Sequence, residues 1–185
     1  QDRDESIMGH SPFLVLADHL ARQGIASLRY DDRGFGDSTG EFSTALTSDF
    51  ATDALAAVEW LRAREDVGGS AIGLIGHSEG ALVAPMAIVE DPTIAFAVLM
   101  AGPGVDGGRI LTSQSERIME LQGTDPEAIE EIITLHAEMM GLVRNEASDD
   151  ELGSGYLALV GAQVATVRSE LGDEQADQIL LEARA

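Results

Sequence analysis

The chain has 185 residues, of which 44% are hydrophobic and none is cysteine. That length suits one domain with a sizeable core, or a domain carrying an insertion, and the missing thiols exclude disulfides, thiolate metal sites and cysteine nucleophiles, leaving covalent chemistry to Ser or Thr. A net charge of −22, with all eleven basic residues arginine, argues against nucleic acid and anionic membranes as partners because like charges repel.

No apolar run nears the ~20 residues of a membrane span, and no metal or cofactor is implied. The all-arginine basic set fits either salt adaptation or a GC-rich genome, and bears on solubility rather than fold.

In chain order, Ser11-Pro12 starts the first helix, with Ser11 as the cap and proline at the first helical position. Phe13, Leu14, Leu16, Ala17 and Leu20 are its apolar residues, and Gly24 its left-handed stop. Residues 25–30 are predicted as a strand, followed by a loop marked by Gly34, Gly36 and Gly40. Phe50, Ala54, Ala57, Val58 and Leu61 then share one helical face, with Trp60 beside them. Residues 71–75 are an apolar run suited to a strand buried on both faces, and residues 81–89 a helix stopped at Glu90-Asp91-Pro92. Residues 93–100 are a further strand. Strands alternating with helices imply right-handed crossovers and a parallel sheet flanked by helices on both faces.

The pattern changes after Gly102-Pro103-Gly104-Val105-Asp106-Gly107-Gly108. Residues 109–122, 125–144 and 149–185 read as helices, the last broken near Gly172. The expected organisation is an α/β core over residues 1–108 and an inserted helical lid or cap over residues 109–185. The first element is a helix with no strand to feed it and the last is also a helix. Three strands make a poor closed core, so the chain reads as truncated at both ends. It opens at Gln1 without an initiator Met, so a soluble protein of either cytoplasmic or exported address is equally compatible. Oligomeric state is left open.

The chemistry centres on Gly76-His77-Ser78-Glu79-Gly80. Chance alone gives such a pentapeptide roughly 0.15 times in a chain of this composition, so its context must carry it. An apolar strand precedes it and a helix follows, as a nucleophile elbow requires: the serine takes strained backbone geometry at a sharp turn, glycines admit close neighbours, and the hydroxyl is pushed outward. Gly9-His10-Ser11 repeats three of the letters without the strand, and its serine is assigned to capping.

A serine hydrolase also needs a base, a group to orient it, and N–H donors for the oxyanion. The first donor is the backbone N–H of Glu79, and the second should come from the loop before the first helix, residues 1–9. His77 precedes Ser78 and should point away from it; His19 lies within the first helix and His10 beside its cap. All three read as structural. His136 is the only histidine after Ser78, and Asp106 lies between them, so Ser78…Asp106…His136 is the one internal triad order available. Against it, lid helices rarely bring an imidazole within reach of the nucleophile. Residues 102–107 match G-x-G-x-x-G, but Pro103 removes a donor and Asp106 would face a pyrophosphate.

Three motifs together resemble a known family. Gln1-Asp2-Arg3-Asp4-Glu5, then Leu28-Arg29-Tyr30-Asp31-Asp32-Arg33-Gly34 with Gly36 and Ser38, then Gly76-His77-Ser78-Glu79-Gly80, resemble the α/β-hydrolase superfamily and, within it, bacterial carboxylesterases grouped with the serine aminopeptidase-like hydrolases. The resemblance spans roughly residues 1–104. It implies the α/β-hydrolase fold with an inserted lid, Ser78 as nucleophile, oxyanion N–H groups from Glu79 and Gln1, a structural role for Asp32 and Arg33, and a small-molecule carboxylic ester as substrate. In that family the acid and histidine follow later strands, and no residue here matches them. The segment alone is therefore expected to be nearly inactive, since loss of the base removes most of the rate. Peptidases and acyl-CoA thioesterases of the same fold share the machinery. A non-catalytic binding module is the alternative from another class.

Overall fold

A parallel strand pair needs a crossover, and the apolar helix after the elbow provides it. β1 (Gly73–His77) runs into α3 (Gly80–Glu90), which returns the chain to β2 (Phe96–Met100). The two strands pair in parallel with Gly73 opposite Phe96 and His77 opposite Met100. Before them lie α1 (Pro12–Arg22) and α2 (Thr47–Arg62), and after them α4 (Gly107–Gln122), α5 (Pro126–Arg144), α6 (Asp149–Leu171) and α7 (Asp173–Glu182). The computed structural model describes residues 1–67 and 71–184. The chain divides into two compact units, Gln1–Pro103 and Gly104–Ala185.

In the first unit α2 and α3 pack together, and Ala54, Val58, Ala87 and Ile94 are buried between them and the sheet, with Ile72 and Leu74 against that cluster. Small residues on α2 and α3 let the helix backbones approach. Strand alternation sends Ile75, Phe96 and Val98 to the opposite face, where they remain 37–50% exposed. Burial on both faces was expected of these strands; among the described residues, α3 covers one.

The strand predicted over residues 25–30 is not in a ladder. Its run of Ile25, Leu28 and Tyr30 has strand composition, but a strand exists only through a partner. Here the segment faces β1 and β2 across a groove of about 660 Å³ that Ile75, Phe96 and Val98 also line. The sheet therefore has two strands among the described residues, rather than three. β2 also starts three residues later than expected. The Ile94 N–H closes a turn on the Asp91 carbonyl, and pairing begins with the Ala95 N–H donating to Ile72.

Ser11 precedes α1 with Pro12 in the first turn, as expected, but its hydroxyl does not cap the helix. The Phe13 N–H that it would accept donates instead to the Asp4 carbonyl, and the Ser11 Oγ lies 3.1 Å from Ser6 Oγ. Gly24 takes the left-handed conformation expected of it, at φ 78°.

In the second unit the helices form where periodicity and caps place them. Asp106 caps α4, Asp125 caps α5, and Ser148 with Glu151 forms a capping box on α6. Gly123 and Gly172, both at positive φ, separate successive helices. Met119, Ile132 and Leu159 form its buried centre.

Candidate active site

The elbow is built by β1, α3 and the end of β2. Ser78 has φ 53°, a conformation that costs a non-glycine residue of order 1–3 kcal/mol and persists only where neighbours fix it. Three contacts do so. The Ser78 N–H donates to the Met100 carbonyl at 3.0 Å, extending the parallel ladder one residue past β1. The Ser78 carbonyl accepts from Ala81 N–H, also at 3.0 Å, locking it to the first turn of α3. Gly76 faces the Gly80 carbonyl so closely that a Cβ at 76 would sit 2.0 Å from that oxygen.

Gly80 plays a different part from the one expected. A Cβ there would meet nothing within 4 Å, so its own side chain is not what space forbids. The second glycine demanded by close approach is Gly102, just beyond β2, where a Cβ would lie 2.6 Å from the Ala81 Cβ. Sequence reasoning missed Gly102 as part of the elbow because its neighbour is distant in the chain.

Ser78 is exposed at the N-terminal end of α3. Glu79 is the N-cap, in helical geometry, and its N–H donates to no group among the described residues. Its carboxylate turns aside and accepts from the Thr47 hydroxyl at 2.7 Å, tying the elbow to the start of α2.

The five residues at the start of the chain each hold a different anchor. Gln1 and Asp32 are doubly joined: the Gln1 nitrogen donates to the Asp32 carboxylate and the Asp32 N–H to the Gln1 carbonyl. The Asp2 carboxylate closes a turn on the N–H groups of Asp4 and Ser6. Arg3 donates its backbone N–H and two guanidinium N–H groups to Asp31. Asp4 pairs with Arg29. Glu5, itself at φ 51°, places its carboxylate 2.8 Å from His77 Nδ1. The two upstream motifs are thus one structure, meeting at Asp31 and Asp32, and they reach the elbow through Glu5.

Asp31 is the buried member, 7% exposed. Its fork of bonds from Arg3 holds its carboxyl well below the usual carboxylate range. Arg33, next in the same loop, donates Nε and Nη2 to the two oxygens of Asp53 and Nη2 again to the Asp49 carbonyl, fastening the loop to α2.

Gln1, Phe13, Tyr30, His77, Ser78 and Glu79 all line the groove described above. Among the histidines, His10 closes a tight antiparallel bridge with Ile7 and His19 is exposed in the last turn of α1. His77 is engaged by Glu5, with Phe13 edge-on to its ring at 6.3 Å.

Asp106 and His136 both lie in the second unit, and Ser78 lies in the first. The two are not bonded to one another among the described residues. Asp106 accepts from the Arg109 N–H as the α4 cap and lies 3.6 Å from Arg144. His136 is half-buried on α5 with Nδ1 enclosed and without a partner among the described residues, and burial lowers its pKa. Among the described residues no group of His, Asp and Glu has the arrangement of a metal site, and no helix is long and apolar enough to cross a membrane.

Residues 10–150 match the family described as "Serine aminopeptidase, S33". The chain is 31% identical over 120 residues to Esterase EstD of Thermotoga maritima, an alignment covering 65% of this chain and 28% of that protein. The chain thus spans well under half the length of the curated relative it matches. No solved structure matches.

Proposed function

Because the chain belongs to the serine aminopeptidase family, and so to the α/β-hydrolase fold, we propose that it is the nucleophile-bearing part of a serine hydrolase that cleaves small carboxylic esters through an acyl-enzyme at Ser78. The observation that carries the reading is the φ of 53° at Ser78, between the end of β1 and the N-terminus of α3. Strain at an exposed serine in such a turn is the mark of a nucleophile elbow.

In this reading Ser78 Oγ attacks the acyl carbon and a histidine takes its proton. The carbonyl oxygen becomes an oxyanion held by the Glu79 N–H, at the positive end of α3, and by a second donor from the segment before α1; Gln1 is the weaker assignment for that donor, since its nitrogen is committed to the Asp32 carboxylate. When the tetrahedral intermediate collapses, the same histidine returns the proton to the departing alcohol, and water later releases the acid. The base and the carboxylate that orients it are assigned to residues outside Gln1–Ala185. Asp106 and His136 are the weaker assignment, since the Asp106 carboxylate is committed to its helix cap and Arg144. The helical unit is read as the lid.

An ester substrate is favoured by the likeness to the Thermotoga esterase. The family's description supports a peptidase as the second reading. The test is turnover of p-nitrophenyl esters and aminoacyl p-nitroanilides by the intact protein and its Ser78→Ala variant. Ester turnover lost in the variant supports the proposal; ester turnover kept by the variant removes Ser78 from the mechanism, and anilide turnover alone replaces esterase with peptidase.

A further inference from the structure

We propose that Glu5 and His77 form a positioning pair that sets the distance between the Gln1 to Glu5 turn and the nucleophile, so that His77, although adjacent to Ser78, works as a strut and not as a base. The proposal rests on Ser78 being the nucleophile.

His77 is the last residue of β1, so its backbone is fixed by the ladder to Met100. Its ring stands on the strand face opposite α3, between Phe13 and Glu5. A carboxylate only accepts, so the 2.8 Å contact to Glu5 Oε1 requires Nδ1 to be the donor. Both side chains are largely enclosed, at 34% and 19% exposure. A charge-assisted hydrogen bond partly shielded from water is stronger than a fully exposed one.

Glu5 does not reach His77 by chance of a flexible loop. Its backbone sits at φ 51°, which a glutamate adopts only under constraint. The constraint is Asp2: the Glu5 N–H donates to the Asp2 carbonyl, and the Asp2 carboxylate takes the N–H groups on either side, from Asp4 and Ser6. The turn is thus closed on itself at Asp2, bolted to the 29–33 segment through Arg3 and Asp4, and joined to the elbow strand through Glu5 alone among these five residues.

That last link has a direct consequence for an oxyanion site with one donor on each side. The Glu79 N–H belongs to the elbow and the second donor to the segment before α1 that carries the turn, so the span between them depends on the join between their carriers. Misplacing a group by about 1 Å can cost about a hundredfold in rate.

The test is the rate of Ser78 labelling by a fluorophosphonate in the intact protein, resolved into a saturating rate constant and a half-saturating probe concentration. Glu5→Ala and His77→Ala are expected to lower the saturating rate about 10- to 100-fold with little change in half-saturation. Glu5→Gln keeps an acceptor and His77→Asn keeps a donor near Nδ1, and both are expected to return close to wild type. Where Glu5→Ala does not fold, Glu5→Asp, whose carboxylate stops one methylene short, must show the same loss. A Glu5→Gln variant as slow as Glu5→Ala, or a Glu5→Ala variant labelled at the wild-type rate, overturns the positioning role while Ser78 stands. If the wild type is not labelled, or Ser78→Ala labels equally, the nucleophile itself is wrong and the positioning role falls with it.

Discussion

Gly76 and Gly80 meet backbone to side-chain position across the elbow: a Cβ at 76 would lie 2.0 Å from the Gly80 carbonyl oxygen, whereas a Cβ at 80 would meet nothing within 4 Å. Two glycines that look equivalent in the motif are therefore held for different reasons. Gly76 is required by space, and Gly80 is not.

Gly76→Ala should accordingly destabilise the first unit by at least the ~1–3 kcal/mol typical of overpacking, because the obstacle is backbone that cannot rotate away. Gly80→Ala should be neutral or stabilise by up to about 1 kcal/mol, since alanine is the better helix former and Gly80 opens α3. Urea unfolding midpoints of the two variants check this contrast, with Gly76→Ala lower and Gly80→Ala equal to or above wild type.

The contact between Gly102 and Ala81 predicts a compensating pair. Gly102→Ala adds a Cβ 2.6 Å from the Ala81 Cβ, which pushes the first turn of α3 away from β2 and with it the Ala81 N–H that holds the Ser78 carbonyl. Gly102→Ala should lower both the melting temperature and the phosphonate labelling rate. Adding Ala81→Gly should recover most of both losses, because residues in contact couple. Additive losses in the double variant would contradict the contact.

Acid should loosen the motif segment through Asp31. In the unfolded chain an aspartate titrates near 3.9, while in the folded protein the Arg3 fork holds Asp31 far lower and the Arg62 and Thr93 bonds hold Asp91 down at about 2. A lowered folded-state value contributes stability that is complete above pH about 4 and declines as the pH falls from there towards the folded-state value. Melting temperatures measured from pH 6 to pH 2 should therefore fall below pH about 4. Asp31→Asn should be less stable at pH 6 and show a shallower acid decline, since it removes the largest of the titrating differences.

The strand, turn and helix of the elbow were legible in the sequence because their pattern is local, an apolar run, a pentapeptide and an apolar helix within twenty residues, whereas Gly102, which meets Ala81 from beyond β2, was not. The helices of the second unit were legible for the same reason, each bounded by its own cap or glycine. What could not be read was pairing. Residues 25–30 have the composition of a strand, yet whether they join a ladder depends on a neighbour that local pattern does not name. Ser11 looks like a cap until Asp4, seven residues earlier, takes the helix donor. With 33 acidic residues against 11 basic ones, charge alone gave no way to know that Arg3 would choose Asp31, Arg29 would choose Asp4, or Glu5 would find His77. The family resemblance marked those segments as belonging together, and the structure supplies the physical reason: they interlock residue by residue.

The most direct test of Ser78 as the nucleophile is peptide mapping of the intact protein after reaction with a fluorophosphonate. One adduct on the peptide carrying Ser78, absent from the Ser78→Ala variant, is the predicted result. No adduct, or an adduct on another residue that survives in Ser78→Ala, would contradict it.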